Sequence, residues 1–73
     1  MPNATELKAG EKALIKHITD NELSLKLLEM GCIPGNEIQL KYIAPLGDPI
    51  CIYVEGYLLA LRKEEASKIE IEL

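Results

Sequence analysis

Apolar side chains recur along this chain mostly at every second position, and at helical spacing in only one stretch. From Lys12 to Thr19, Ala13 and Ile15 alternate with polar neighbours while Ile18 falls out of phase. That pattern predicts a strand with a bend or bulge near Lys16-His17. Thr19 and Glu22 have the spacing of a helix capping box, with Asp20 as a competing N-cap. Residues Asn21 to Met30 then carry helical periodicity; Gly31 supplies a left-handed C-terminal position, and Pro34 prevents the helix from resuming. After the Pro34-Gly35 turn comes the cleanest alternation, with Ile38, Leu40 and Tyr42 on one face and Glu37, Gln39 and Lys41 on the other. Ala44 to Pro49 is irregular, because two prolines remove backbone donors and Gly47 offers positive φ. A further strand follows, with Ile50, Ile52 and Val54 inward and Cys51, Tyr53 and Glu55 outward, ending at Gly56. Tyr57, Leu59 and Leu61 continue the alternation on another strand. Lys63 to Lys68 is long enough for a single helical turn, and Ile69, Ile71 and Leu73 form a last strand.

The fold class predicted is therefore mainly β, with about five short strands and one short α-helix between the first and second main strands. An open meander of that size leaves two unpaired edges. Curling into a small barrel covers most of them and gives the aliphatic faces one interior. Residues 1–73 are expected to form a single domain, since a chain this short supports one core. That core is aliphatic: 48% of residues are hydrophobic, with no Trp or Phe and three Tyr, of which Tyr42 and Tyr57 are assigned inward.

Charge narrows the function classes. The net charge of −4 argues against nucleic acid or anionic lipid as a partner, since both require clustered Lys and Arg. No apolar run approaches the ~20 residues needed to cross a bilayer, so direct membrane insertion is not expected. The N-terminus has neither the basic nor the apolar region of a signal peptide, and a cytoplasmic location is expected. Cys32 and Cys51 fit that compartment as reduced thiols.

Three segments carry a resemblance. Gly31 to Gly35 (GCIPG), Ala44 to Ile50 (APLGDPI) and Gly56 to Ala66 (GYLLALRKEEA) resemble, in order and spacing, the motifs of the FeoA family of ferrous iron transport accessory proteins. The likeness extends from about Leu7 to Ile71. It implies an SH3-like barrel, a cytosolic location, no enzymatic activity, and action beside a membrane ferrous iron transporter with a cytosolic GTP-binding domain. The chain departs from the family pattern at Lys26, Cys32 and Leu58, where Arg, an aliphatic residue and a polar residue are usual.

The residues themselves offer little chemistry. The one imidazole, His17, has Asp20 and Glu22 nearby in sequence, a weak His-plus-carboxylate candidate for a transition metal, but no CxxC or HxxxH pair exists. Metal binding or sensing is the alternative function; no cofactor is expected. A cysteine nucleophile needs a histidine and an electropositive setting, and Cys51 has neither in sequence. Three tyrosines cannot build the aromatic groove that binds polyproline ridges.

Surface contact is the remaining class. At about 100° per residue, Leu23, Leu27 and Met30 make one helical stripe, assigned to the barrel. Leu25 and Leu28 point nearly opposite, and Cys32 extends that side if the helical turn continues. Either a loop covers this second face, or it meets a partner or a second copy of the chain. Leu46, at the tip of the Pro-rich loop, is a second contact candidate; Asp48 either caps its own loop or joins that contact, and Leu58 is a third. Arg62 is expected in an internal ion pair with Glu64 or Glu65.

Overall fold

The computed structural model describes residues 2–73. A 3₁₀ turn (Ala4–Glu6) precedes β1 (Lys12–Ile18), α1 (Asn21–Leu28), β2 (Glu37–Ile43), β3 (Ile50–Val54), β4 (Tyr57–Leu61), α2 (Lys63–Ala66) and β5 (Ile69–Glu72). The fold is mainly β, and the helix α1 sits between β1 and β2 as the periodicity predicts. All pairings are antiparallel, in the order β4-β3-β2-β1-β5.

Strand β1 joins the two halves of the sheet. Ala13 pairs with Ile38 of β2, while Ile15 and Ile18 pair with Ile71 and Ile69 of β5. The register shifts between Ile15 and His17, at the expected bulge. The extra residue explains why Ile15 and Ile18, three apart, are both buried. Core residues come from all five strands: Ile15 and Ile18, Ile38 and Leu40, Ile50, Ile52 and Val54, Leu61, and Ile69 with Ile71. One sheet can pool these faces only by curling round them. Leu23 and Leu27, one turn apart on α1, close one end, and Ala4, Leu7 and Ala66 join the same cluster.

Capping sets the ends of α1. Asp20, not Thr19, is the N-cap, its carboxylate accepting the Leu23 N–H at 3.1 Å. The Lys68 ammonium donates to the same carboxylate at 3.2 Å and fastens the helix start to the chain before β5. Helical pairing stops at Leu28, two residues short of the expected Met30, and Gly31 at φ +78° turns the chain away.

That turn overturns two assignments. Cys32 does not extend the outer face beside Leu25 and Leu28; it is fully buried, because the left-handed step at Gly31 sends the next residue into the core. Met30, expected inward, lies beyond the helix and is 40% exposed. In β2 a second register shift, between Leu40 and Tyr42, reverses the alternation and turns Tyr42 outward. Cys51, expected outward, is buried on β3 opposite Tyr42. Tyr57 is also exposed, at the start of β4.

Candidate functional site

The outer strands differ in how their free edges are treated. Strand β5 is covered: Asn3 bridges Glu70, and the Ile71 N–H donates to the Pro2 carbonyl at 2.9 Å. Strand β4 pairs with β3 on one side and ends the sheet on the other. Its sequence, Tyr-Leu-Leu-Ala-Leu, is uncharged, and only Leu61 is buried.

A groove of about 470 Å³ lies between this edge and Glu29 to Gly31, the residues that follow α1. Met30, Tyr57, Leu58 and Leu59 supply apolar walls, and Glu29 and Glu55 supply two carboxylates. Glu55 and Gly56 form the two-residue turn between β3 and β4, with φ of 53° and 80°, as a type I′ hairpin requires. The turn packs against the segment that follows α1: a Cβ placed on Gly31 would meet the Glu55 side chain. Farther along, Lys26, Asp48, Pro49, Ala60, Arg62 and Glu65 line a second, polar groove.

The expected contact residues distribute around this region. Leu58, 53% exposed, lies in the apolar groove. Leu25 and Leu28, 69% and 54% exposed, stand on the outer face of α1 and line neither groove. Leu46 is 96% exposed at the β2–β3 loop. Asp48 lies in the polar groove, but it does not cap its own loop: its carboxylate accepts the Lys63 N–H at 2.9 Å, tying the Pro-rich loop to the start of α2. Cys32 is inside the core and offers no contact surface. The sequence pattern does not mark Met30, Glu55 and Tyr57 as contact residues. Their shared groove depends on Gly31 and the β3–β4 turn meeting across the fold, which local periodicity does not encode.

Electrostatics fit structural roles for several groups. The Leu23 N–H, followed by Lys68, holds the Asp20 carboxyl below its ordinary value. The Arg62 N–H, aided by Lys26, does the same for Glu65. Arg62 itself makes no ion pair among the described residues; Glu65 pairs with Lys26 at 3.4 Å and Glu64 with Lys68 at 3.9 Å. Burial pushes the Cys32 thiol up to about 11, so it stays protonated at neutral pH and is a poor nucleophile or metal ligand. Among the described residues, no three His, Cys, Asp or Glu side chains form a group able to hold a metal ion. His17, Asp20 and Glu22 are therefore not brought together as ligands, and Asp20 is already engaged by Leu23 and Lys68. No helix among the described residues is long and apolar enough to cross a membrane.

Comparison with known proteins places this geometry. A family model described as FeoA domain matches residues 3–73. A Porphyromonas gingivalis protein described as an Fe(2+) transport protein A/Fe(2+) transporter FeoB fusion is 39% identical over 70 residues. The match takes in 94% of this chain but 8% of that much longer protein. The solution structure of the FeoA protein from Chlorobium tepidum superposes with a TM-score of 0.93 at 32% identity, over 99% of this chain and 70% of that one. A crystal structure of Stenotrophomonas maltophilia FeoA with zinc, described as a prokaryotic SH3 domain protein, gives a TM-score of 0.87 at 23% identity, over 99% and 91% of the two chains. The curled five-stranded sheet is thus an SH3-like fold.

Proposed function

This chain belongs to the FeoA domain family, and from that premise we propose that it serves ferrous iron uptake as a cytosolic accessory protein, binding a membrane ferrous iron transporter through the latter's GTP-binding domain. The observation that carries the reading is the relative in which a matching domain and an Fe(2+) transporter share one polypeptide. Fusion holds two parts at high effective concentration, an arrangement suited to parts that work in contact. The surface supports the same reading. Leu25, Leu28, Leu46 and Leu58 are large apolar residues exposed on a domain of only 73 residues, and such exposure favours contact with a partner. Iron enters as the transporter's cargo.

The test is calorimetric titration of the chain with the transporter's cytosolic GTP-binding domain, with and without guanine nucleotide. Saturable binding in at least one nucleotide state is expected. Absence of binding in both overturns the reading. Replacing Leu25 and Leu28 together by Glu is expected to weaken binding at least tenfold while moving the melting temperature by less than about 4 °C, as exposed positions allow. A large fall in melting temperature would assign both residues to the core instead.

A further inference from the structure

The turn geometry fixes which backbone groups of β4 are free. A two-residue hairpin makes its flanking residues, Val54 and Tyr57, a hydrogen-bonded pair. Alternation then makes Ile52–Leu59 and Ile50–Leu61 hydrogen-bonded pairs as well, and leaves Tyr53–Leu58 and Cys51–Ala60 as non-bonded ones. The N–H and C=O groups of Leu58 and Ala60 therefore point away from β3, along the open edge of the sheet. Both residues are exposed.

Proteins usually protect such an edge with a charge, a proline, a bulge or a covering segment. The opposite edge has its cover, in Pro2 and Asn3. The β4 edge has none of these within the strand: its register with β3 is unbroken, and its residues are uncharged. Directly beside it runs the apolar groove walled by Met30, Tyr57 and Leu58, with Glu29 and Glu55 as its only charged lining residues.

We propose that the β4 edge, through the free backbone groups of Leu58 and Ala60, accepts an extended segment of a partner protein as a sixth strand, with alternate apolar side chains in the groove beside α1 and a basic residue facing Glu29 and Glu55. Strand addition divides recognition into two parts: main-chain hydrogen bonds supply affinity, and pockets for alternate side chains supply selectivity. The two carboxylates, with no cation among the groove's lining residues, select positive charge. A second copy of this chain is disfavoured as occupant, since each copy brings a net charge of −4. The inference rests on the accessory reading for the partner's identity, but the edge itself is tested independently of the transporter.

The probe is the blocked peptide acetyl-Val-Thr-Val-Thr-Arg-amide, whose two Val side chains and Arg share one face when extended, titrated to millimolar concentration into the isotope-labelled chain. Amide shifts and slowed hydrogen exchange are expected at Leu58 and Ala60, and binding is expected to fall at least threefold when Glu replaces the peptide's Arg. Unmoved Leu58 and Ala60 amides overturn the proposal, as do equal affinities for the two peptides. The same amide changes on concentrating the chain alone would assign the edge to self-pairing and also overturn it. Ala60→Pro supplies the second arm. It removes an N–H that β3 does not use, so the strand tolerates it. The variant is expected to keep the amide spectrum of the core and lose at least tenfold in affinity for both the peptide and the transporter's cytosolic domain. Full transporter binding by this variant sinks the edge while leaving the accessory role standing. Peptide binding by the unaltered chain, without any transporter binding, does the reverse.

Discussion

At Gly31 two constraints meet. Its φ of +78° lies in the left-handed region, and an added Cβ would stand 2.5 Å from the Glu55 Cγ and 3.2 Å from its Cβ. A left-handed backbone costs a side chain about 1–2 kcal/mol, and the Glu55 contact adds to it. Gly31→Ala is expected to lose about 1–3 kcal/mol in urea denaturation. In a Glu55→Ala background the loss should shrink by about 0.5 kcal/mol or more, the signature of residues in contact. Strict additivity would show that the two do not touch. The glycine is legible in sequence as a helix terminator, but its neighbour is not. The reading of Cys32 as an outward residue assumes the helix continues past Gly31, whereas the positive φ turns the chain inward and buries the thiol.

Helix ends and strand registers form the next scale. The caps of α1 and α2 each rely on a carboxylate, Asp20 on the Leu23 N–H and Glu65 on the Arg62 N–H. Both groups are held below their ordinary values of 3.8 and 4.5. The folded state thus takes up these protons less readily than the unfolded chain. Their stabilisation is complete above the ordinary values and is lost as pH falls from about 4.5 through the lower native values. Melting temperature is expected to decline across that range. Asp20→Asn keeps an acceptor for Leu23 but loses the charge that Lys68 meets, so its decline should be shallower; parallel curves would remove Asp20 from the account. Element type was readable here because period 2 and period 3.6 are local properties. Register was readable in part. The β1 bulge announces itself through out-of-phase Ile18, but the shift after Leu40 follows a perfect alternation, and only pairing with β3 turns Tyr42 outward.

For the whole molecule, one aliphatic core carries the stability. Ile52 is fully buried at the centre of that core, so Ile52→Ala is expected to cost about 2–5 kcal/mol. Domains of this size have roughly 4–11 kcal/mol in total. The urea midpoint should therefore fall by a large fraction; a loss below about 1 kcal/mol would mean the core collapses around the gap. The exposed ion pairs, such as Lys16–Glu72 at 3.6 Å, contribute far less. The amino-acid sequence by itself determined the type and order of the five strands and of the helical segments after β1, the aliphatic interior and the family; the 3₁₀ turn at Ala4–Glu6 was not read from it. These follow from alternation, capping and turn residues that act within a few positions of one another. Tertiary structure alone decided which strand edge stays open, which face of each ambiguous residue meets water, and which distant residues share a groove. Glu29 meets Glu55 and Leu58 only when the curled sheet brings the β3–β4 turn against the residues that follow α1, and no local pattern contains that distance.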